Sequence, residues 1–575
     1  AVYTRCNEDG DVVAFDSCDV PGPVVHDCHD QNAECVEPTG TTAECLCLNL
    51  WEGEGCDVCP AGWNPEAACA ACLPGLAGID CGICARFAVA TGASPGADGL
   101  TWASAFGRVA LAVASAGDAL TADPSLERCE VWVAAGVHYI YLSTAADAIG
   151  IAPGVELYGG FVGVEIERDE RDPGANVTIL DGRHHEGSTQ LVRHVVITGD
   201  GAVLDGFTVQ SGLADGDGTD AMGGGVLVTG GAPSIAGCRF ENNRADAGGA
   251  IYSAGASPSI LDCVFEGNLA ELSGGAITLD GGGGLLSGCA FESNGAGTNG
   301  GALRTFQSAA TIAGCDFTGN GAAVHGGAAF NEGGSPAFSQ CEFWENTAGF
   351  GGGAVFNHGS AASYDGCLFE GNLADTGGAA RNLSNATPAF LNCRFHDNEA
   401  GTGGALASLQ AGGQLVNCLL TGNSTADPDA YGGGAMYLQE SSTAIKSCTV
   451  TANTSLGTAA VRLHNSPEVT MVNSIVWGNM PSDMTFLGSD IDLTYSLLSV
   501  QQTGAGMLAA NPLFVDAAGG DFRLGPGSPC IDAGQGTGAP ALDLDGNPRV
   551  DDPAVSNTGG GTLKFIDIGA FERQF

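Results

Sequence analysis

Cys263-Val-Phe-Glu-Gly-Asn268 is one copy of a short motif that repeats through the middle of this 575-residue chain. Its cysteine returns after 25 or 26 residues, and once after 30. The positions are Cys238, Cys263, Cys289, Cys315, Cys341, Cys367, Cys393, Cys418 and Cys448, and Ser474 takes the next place. A nearly constant period of this length indicates one supersecondary unit that stacks on its own copies.

Two more columns of residues accompany the cysteine. Two residues after it stands an apolar residue: Phe240, Phe265, Phe291, Phe317, Phe343, Phe369, Phe395, Leu420, Val450 and Val476. Five residues after it stands an asparagine in every repeat: Asn243, Asn268, Asn294, Asn320, Asn346, Asn372, Asn398, Asn423, Asn453 and Asn479. Because side chains alternate between the faces of a strand, the cysteine and the apolar residue share one face.

A coil of parallel strands explains all three columns. Equivalent residues of successive coils lie about 4.8 Å apart in such a coil, so identical side chains stack on one another. The phenylalanines predict an apolar spine. The asparagines predict an internal ladder of hydrogen bonds, at a sharp turn whose left-handed backbone asparagine tolerates. A Gly-Gly-Ala turn, such as Gly300-Gly-Ala302, follows most of them. The sequence therefore predicts an all-β fold, a parallel β-helix solenoid.

The cysteine column has two interpretations. Its spacing lies within the Cα range of a disulfide, but nine stacked cysteines cannot all pair with one another. We favour buried free thiols that act as small apolar side chains. A redox or metal-binding role is disfavoured, because the same positions lie between phenylalanines.

The overall charge excludes several classes of partner. The chain has 66 acidic and 19 basic residues, which gives a formal charge of −47. Nucleic acid and anionic membranes are therefore poor partners. No apolar run is long enough to span a membrane. An acidic surface binds divalent cations or simply stays hydrated, and the second interpretation is the simpler one.

Twelve of the 23 cysteines lie within the first 84 residues. This density is typical of a disulfide scaffold made in an oxidising compartment, so we expect a secreted, extracellular or cell-surface protein. A start at Ala1 agrees with a signal peptide already removed. Three Cys-x-x-Cys pairs close this region: Cys56/Cys59, Cys69/Cys72 and Cys81/Cys84. Zinc would suit such pairs, but disulfides are favoured.

Part of the head resembles the EGF-like module. The resemblance covers residues 18–56 and rests on Cys45-Leu-Cys47, which is followed after eight residues by Cys56. It implies a small disulfide-rich domain with the pairs Cys18–Cys35, Cys28–Cys45 and Cys47–Cys56.

The composition divides the chain into four predicted segments. They are a Cys-rich EGF-like head (1–85), an N-terminal cap with the first rungs (86–205), the regular repeats (206–480), and the last rungs with a closing segment (481–575). Within the cap, Trp102, Phe106, Val109 and Val113 have helical spacing. We expect an amphipathic helix over residues 101–115 that covers the open edge of the first coil.

Several motifs outside the repeats add a family resemblance. They are Trp102-x-x-Ala-Phe106, Leu157-Tyr-Gly-Gly-Phe161, Leu204-Asp-Gly-Phe-Thr208, Ser528-Pro-Cys-Ile-Asp-Ala-Gly534 and Asp567-Ile-Gly-Ala-Phe-Glu572. With the repeats, they resemble the bacterial right-handed parallel β-helix surface and secreted proteins, of pectate-lyase-like architecture and with repeats similar to those of polymorphic outer-membrane proteins. The resemblance implies a right-handed coil, export and an extracellular life, usually without an assigned reaction.

Because pectate-lyase-like folds include polysaccharide lyases and hydrolases, the resemblance leaves an active site on the repeats open. A hydrolase needs carboxylates that face each other, and a lyase needs an acidic calcium cluster beside a base. The basic residues are scattered, and the best patch stacks Glu332 under His358, with Asn331 under Asn357. A plain surface pair is the simpler interpretation of this patch.

Asp543-Leu-Asp-Gly-Asn547 resembles the start of a calcium loop, with Asp543, Asp545 and Asn547 at alternate positions. Ala554 stands where the last ligand, a glutamate, is expected. An ordinary turn is therefore favoured, and calcium stays open as a ligand. No motif requires a cofactor.

These observations predict a non-enzymatic extracellular structural or adhesive protein, a surface or fibre component that self-associates, with filaments as one outcome, or binds other surface proteins. The first alternative is a polysaccharide lyase or hydrolase. The second is a non-catalytic carbohydrate-binding protein that uses exposed aromatics such as Trp344 and Tyr364.

Overall fold

The computed structural model describes residues 84–426 and 432–574 with their side chains. Before them it gives the backbone of Ile83 and of six short strands, Tyr3–Cys6, Val12–Phe15, Pro21–His26, Ala33–Val36, Glu44–Cys47 and Leu76–Ala77. The chain forms two compact units. We call residues 1–138 and 154–178 the N-terminal unit, and residues 139–153 and 179–575 the coil unit.

The N-terminal unit is built on three parallel strands, Ile83–Ala88, Cys129–Ala134 and Val155–Phe161. A disulfide between Cys84 and Cys129 joins the first two strands, whose Cα atoms there are 4.6 Å apart. Two 3-10 helices, Trp102–Ser104 and Arg168–Glu170, lie in its connections. Two further strands, Gly136–Tyr139 and Thr178–Asp181, begin in this unit and end in the coil unit.

The expected helix is present, but it starts later than predicted. It runs from Val109 to Ala122 and packs on the strands Ile83–Ala88 and Cys129–Ala134. Val109 and Val113 are buried, as their spacing predicted. Trp102 instead belongs to the 3-10 helix, where Thr101 caps the turn and Ala105 ends it with extended backbone.

The coil unit consists of four stacks of parallel strands, visited in turn by each coil. The first sheet contains Ile149–Gly150, Val196–Thr198, Val226–Val228, Ile251–Ala254, Ile277–Asp280, Leu303–Phe306, Ala329–Glu332, Val355–His358, Ala380–Leu383, Leu406–Leu409, Met436–Gln439, Val461–His464 and Met484–Leu487. Within this unit the second sheet contains Val203–Asp205, Ser234–Ala236, Ser259–Leu261, Leu285–Ser287, Thr311–Ala313, Ala337–Ser339, Ser363–Asp365, Ala389–Leu391, Gly412–Val416, Ser442–Lys446, Val469–Val472 and Ile491–Thr494. The prediction of a parallel β-helix is confirmed.

The third and fourth sheets complete each coil. The third sheet contains Thr208–Gln210, Arg239–Glu241, Val264–Glu266, Ala290–Glu292, Asp316–Thr318, Glu342–Trp344, Leu368–Glu370, Arg394–His396, Leu419–Thr421, Thr449–Thr451, Ile475–Trp477 and Leu497–Leu498. The short strands of the fourth sheet are Leu213–Ala214, Arg244–Ala247, Leu269–Ser273, Gly295–Ala296, Gly321–Ala322, Thr347–Ala348, Leu373–Thr376, Glu399–Thr402, Ser424–Thr425 and Thr454–Ser455. A 3-10 helix, Gly218–Ala221, interrupts an early coil.

The asparagine column lies between the third and fourth sheets, inside the coil. In a typical step, the backbone N–H and side-chain Nδ2 of Asn294 both donate to Oδ1 of Asn320, each at 3.0 Å. Nδ2 of Asn294 also donates to the backbone oxygen of Phe265 at 2.9 Å. The left-handed backbone falls one residue earlier than expected, for example at Gly319 with φ 62°. The asparagine is therefore needed for its amide and not for its backbone.

The phenylalanine and cysteine columns fill the interior of the coil. The rings of Phe291 and Phe317 stack at a centroid distance of 4.6 Å and an interplanar angle of 2°. The nine repeat cysteines are free and buried. Their thiols donate to backbone carbonyls, as Cys341 Sγ does to Ile312 at 3.5 Å.

The Gly-Gly-Ala segment forms the corner before the first sheet. Gly300 has φ 63°, a left-handed conformation. A Cβ on Gly301 would lie 2.1 Å from the backbone oxygen of Gly327 in the next coil. The close approach of successive backbones therefore requires glycine at the second position.

The closing segment folds back over the outside of the coil. It includes an antiparallel hairpin, Phe514–Asp516 and Asp521–Leu524. Phe522 and Phe571 are buried with Leu419, whose side chain points outward from the third sheet. Later strands of the third sheet are thus covered, whereas outward side chains of earlier strands, such as Asp316, Thr318 and Glu342, are exposed.

Candidate functional site

A shallow groove lies on the uncovered outer face of the third sheet. It has a volume of about 420 Å³. Its lining residues come from three successive coils: Ala290, Glu292, Asp316, Thr318, Glu342, Trp344 and Glu345. We call this surface the acidic groove.

Alternation along the strands explains which residues line the acidic groove. In each strand that lines the groove the central phenylalanine points inward, so its two neighbours point outward. Glu342 and Trp344 flank Phe343 in this way, and Asp316 flanks Phe317. The side chains that line the groove are thus one and three residues after the repeat cysteine, except for Glu345, which follows the strand Glu342–Trp344.

Two carboxylates lie side by side in the acidic groove. Asp316 and Glu342 are paired in register on adjacent strands. Partial burial of the Asp316 carboxyl group raises its pKa, and the negative charge of Glu342 adds to the shift. The groove therefore contains two neighbouring carboxylates, an arrangement suited to proton transfer as well as to cation binding.

Trp344 gives the acidic groove an aromatic wall. Its indole Nε1 donates to Oε2 of Glu342 at 2.8 Å, which fixes the ring beside the carboxylates. The side chain is only half-buried. A partly exposed indole next to hydrogen-bonding carboxylates can stack on the apolar face of a sugar ring.

The predicted patch around Glu332 and His358 is only partly correct. The two residues are in register on the outer face of the first sheet, and Glu332 accepts a salt bridge from Arg304 at 2.9 Å. Asn331 and Asn357, in contrast, point inward and are fully buried. The predicted stacking of Asn331 under Asn357 is confirmed, but the two side chains lie on the inner face and not in the patch, because residues next to each other in a strand face opposite sides.

The inward asparagines form a second polar ladder, which was not predicted from the sequence. Asn331 donates to Oδ1 of Asn357 at 3.0 Å, and Asn357 donates to Oδ1 of Asn382 at 2.9 Å. The hydroxyl of Tyr364 donates to Oδ1 of Asn357 and accepts from Nδ2 of Asn331, both at 2.9 Å.

The suggestion of Tyr364 as an exposed sugar-binding aromatic is therefore wrong. Tyr364 is fully buried and stacks between Phe338 and Phe390. The sequence does contain a pattern that indicates the burial of Tyr364, because the third residue before each repeat cysteine is apolar in every coil. The residues are Ile235, Ile260, Leu286, Ile312, Phe338, Tyr364, Phe390, Leu415 and Ile445.

In the predicted calcium loop, the carboxylate oxygens already accept hydrogen bonds from the protein. Oδ1 of Asp543 accepts hydrogen bonds from the backbone N–H groups of Asp545 and Asn547 at 3.0 and 2.7 Å. Oδ2 of Asp543 accepts one from the backbone N–H of Glu572 at 2.9 Å. The two oxygens of Asp545 accept from Arg394 and from Arg523 at 2.8 Å.

The residues in this arrangement do not fit a calcium shell, because the oxygens that calcium would take already accept hydrogen bonds. Calcium binding here stays a prediction, and it requires Asp545 to leave both arginines. No group of three or more histidine, cysteine, aspartate or glutamate residues within 84–426 and 432–574 is arranged to hold a metal ion.

The predicted head disulfides, from Cys18 to Cys56, lie outside the residues whose side chains are described. The backbone there forms an antiparallel pair, Ala33–Val36 with Glu44–Cys47, in which Cys35 is opposite Cys45. The EGF-like module and its pairings stay predictions. Among the described residues, no helix is long and apolar enough to cross a membrane.

Comparison with known proteins agrees with this fold. The family model described as "Right handed beta helix region" matches residues 193–372, 251–436 and 327–498. These matches together span more than half of the chain. The chain therefore belongs to the right-handed β-helix family, which confirms the predicted handedness. No curated protein sequence matches it.

Several solved structures are distantly similar. The A-module of mannuronan C-5 epimerase AlgE4 from Azotobacter vinelandii is 14% identical, with a TM-score of 0.28, and the match covers 69% of this chain and 96% of that one. Pectate lyase Pel9A is 12% identical, with a TM-score of 0.29 and coverage of 86% and 98%. The A-module of AlgE6 from Azotobacter vinelandii is 12% identical, with a TM-score of 0.31 and coverage of 66% and 94%.

Proposed function

We propose that this chain is a non-enzymatic extracellular protein that serves as a structural or adhesive component of a surface or fibre. The observation that carries the proposal is the position of the residues that all repeats share. The asparagine, phenylalanine and cysteine columns lie inside the coil. The repeated residues thus maintain the scaffold, and the outward positions vary from coil to coil.

The extracellular location is supported by the cysteines. The Cys84–Cys129 disulfide is of a kind that persists in oxidising compartments. The density of cysteines in the first 84 residues agrees with it. In this proposal the EGF-like head contacts a neighbouring molecule, and the coil unit provides the repeated scaffold.

Self-association is the testable part of this function. We would purify the full chain, measure its mass by light scattering over a wide concentration range, and image it by electron microscopy. Growth into fibres or ordered assemblies would support the structural role. Single particles at all concentrations, with no binding to cell-surface preparations, would contradict it.

A second function, binding or cleavage of polysaccharide, is favoured by the acidic groove. Asp316 and Glu342 provide neighbouring carboxylates, and Trp344 provides a stacking surface beside them. In a hydrolase, one carboxyl group protonates the leaving oxygen and the other acts as base or nucleophile. The raised pKa of Asp316 suits the role of the acid.

The second function is tested with a panel of acidic and neutral polysaccharides, with and without calcium. Cleavage that is lost in Asp316→Asn and Glu342→Gln, but kept in the exposed-residue control Glu399→Gln, would establish an enzyme. Binding without products that is lost in Trp344→Ala would establish a carbohydrate-binding protein. Inertness towards the whole panel would leave the structural role as the better explanation.

A further inference from the structure

The outer face of the first sheet carries a group of side chains that neither the interior ladders nor the acidic groove uses. Phe330, Phe356 and Arg381 occupy one outward column, paired in register on successive strands. His325 and Phe350 come from the corner before this sheet and pack over the column. The His325 ring centroid lies 4.2 Å from that of Phe356. We call these five residues the arginine cluster.

Arg381 is buried, and two of the three nitrogen atoms of its guanidinium group lack a hydrogen-bond partner. Its relative exposure is 6%. Its Nε and Nη1 have no hydrogen-bond partner, and no described carboxylate forms a salt bridge with it. The guanidinium carbon lies 4.6 Å from the ring centroid of Phe350 and 5.5 Å from that of Phe356. Cation–π contacts compensate for part of the lost hydration, but they leave the N–H groups unsatisfied.

A glycine makes the room that Arg381 occupies. Gly351 lies between His325 and Thr376 in a column of corner residues. A Cβ at this position would lie 2.4 Å from Cδ and 2.7 Å from Nη1 of Arg381. The absence of a side chain at residue 351 therefore lets the arginine fold down against the sheet.

The cluster presents a single positive charge. Burial lowers the pKa of His325 to about 4, and the nearby charges of Arg381 and His358 add to this shift, so His325 is neutral at pH 7. Its Nδ1 has no hydrogen-bond partner. The neighbouring Arg304 is neutralised by its salt bridge with Glu332.

We propose that the arginine cluster binds a small carboxylate, with Arg381 as its counter-ion and Phe350 against its carbon skeleton. The unpaired N–H groups of Arg381 supply donors for carboxylate oxygens, and charge-assisted bonds of this type are strong. One positive charge matches a monoanion better than a dianion such as phosphate. Phe350 is 46% exposed and stacks over the guanidinium, so in this proposal a carboxylate reaches the buried Nε and Nη1 when the Phe350 ring moves aside.

The carboxylate can belong to a free organic acid or to an acidic sugar, and the experiment separates the two. We would titrate the full chain by calorimetry with glucuronate, acetate and glucose, in a buffer without carboxylates. A dissociation constant of about 1 mM or tighter is expected for glucuronate, and no binding is expected for glucose. If acetate binds with the same affinity as glucuronate, the site recognises carboxylates in general. If acetate binds much more weakly than glucuronate, the site is specific for an acidic sugar.

Two variants test whether Arg381 is responsible. Arg381→Met removes the charge, and Gly351→Ala keeps it but displaces the guanidinium. Both should weaken glucuronate binding at least about tenfold. Arg244→Met makes the same charge change at an exposed arginine of the fourth sheet, and Gly321→Ala adds a methyl group where only ordinary contacts arise. Both controls should bind like the wild type.

Circular dichroism and thermal denaturation would verify that all four variants fold. The proposal is overturned if glucose binds as tightly as glucuronate, or if folded Arg381→Met retains full affinity. Absence of binding by either acid to the wild type would overturn it as well. Sugar binding that is lost in Trp344→Ala but kept in Arg381→Met belongs to the acidic groove, so the variants distinguish the two sites.

Discussion

Asn294 donates both its backbone N–H and its side-chain amide to a single oxygen of Asn320, one coil further along the chain. The same pair of hydrogen bonds recurs from Asn243 to Asn453, so each side-chain amide oxygen accepts two hydrogen bonds from the asparagine of the preceding coil. The column ends at Asp483, whose Oδ1 accepts from Asn479 in the same way. A turn that would otherwise bury unpaired backbone groups is satisfied by the neighbouring coil.

Asn320→Ala should destabilise the coil unit strongly. The change removes two hydrogen bonds that Asn320 accepts from Asn294, and two that its Nδ2 donates, to Phe291 and Asn346. Leaving buried polar groups unpaired costs about 1–3 kcal/mol for each group, so we expect a loss of at least about 3 kcal/mol. Chemical denaturation followed by circular dichroism measures it.

The matched control is Asn557→Ala, at an exposed asparagine of the closing segment. Its effect should stay within about 0.5 kcal/mol. Equal stabilities of Asn320→Ala and the control would show that the ladder is dispensable.

Phe317→Ala should open a cavity in the apolar spine. Phe317 is fully buried and stacks on Phe291 and Phe343 at centroid distances of 4.6 and 4.9 Å. Truncation of a buried phenylalanine costs about 3–5 kcal/mol. Phe486→Ala, at a ring that is 39% exposed, should cost far less. Similar denaturation midpoints for the two variants would contradict a continuous spine.

The parallel β-helix could be predicted from the sequence because every coil has the same types of inward residue at the same positions. An interior position admits few residue types, so asparagine recurs in every copy, and the position of the phenylalanine column is always apolar. The prediction of Tyr364 as an exposed aromatic ignores this periodicity. The position that Tyr364 occupies is apolar in all neighbouring coils, which indicates a buried side chain.

The candidate sites could not be read from the period, because they depend on outward residues that differ between coils. Asp316 and Glu342 occupy equivalent positions in successive strands, but no recurring motif distinguishes them from other surface carboxylates. The contact between Gly351 and Arg381 joins residues of different columns, and only the packing of the corner over the sheet reveals it.

The repeat cysteines should be inert in the folded protein. They are buried and unpaired, so an alkylating reagent cannot reach their sulfur atoms while the coil is folded. Mass spectrometry after treatment with iodoacetamide should find these thiols unmodified until a denaturant is added. Ser335→Cys, at an exposed position, should be labelled at once. Rapid labelling of Cys393, or its disulfide with a neighbouring coil, would contradict the interpretation of buried free thiols.

The closing segment should loosen as the pH rises. Burial raises the pKa of Asp567 from 3.8 to about 8, and the charges of Glu572 and Asp532 add to this shift. The folded state therefore retains a proton that the unfolded chain loses near pH 4. Between about pH 4 and pH 8 the unfolded state binds fewer protons, so the free energy of unfolding falls as the pH increases. Arg549, which pairs with Glu572 at 3.0 Å, limits the effect.

Hydrogen exchange of residues 530–574 measures this loosening. Exchange should be faster at pH 8 than at pH 5.5 after correction for the intrinsic rate, and Asp567→Asn should reduce the difference. Asp551→Asn, at an exposed aspartate, should leave it unchanged. Protection that increases with pH would show that the carboxyl group of Asp567 is ionised in the folded state throughout this range.

Asp543 and Asp545 should differ sharply in their effect on stability, although they lie two residues apart. Asp543 is buried and accepts three backbone N–H groups, so Asp543→Ala should cost about 3 kcal/mol or more. Asp545 pairs with arginines that are 41% and 57% exposed, and such pairs contribute about 1 kcal/mol or less. Asp545→Asn should therefore lower the stability only slightly.

Millimolar calcium should leave the wild-type denaturation midpoint unchanged, because Arg394 and Arg523 compete with calcium for the carboxylate oxygens of Asp545. A midpoint that rises with calcium in the wild type, and not in Asp545→Asn, would show that the loop releases its arginines to take the metal.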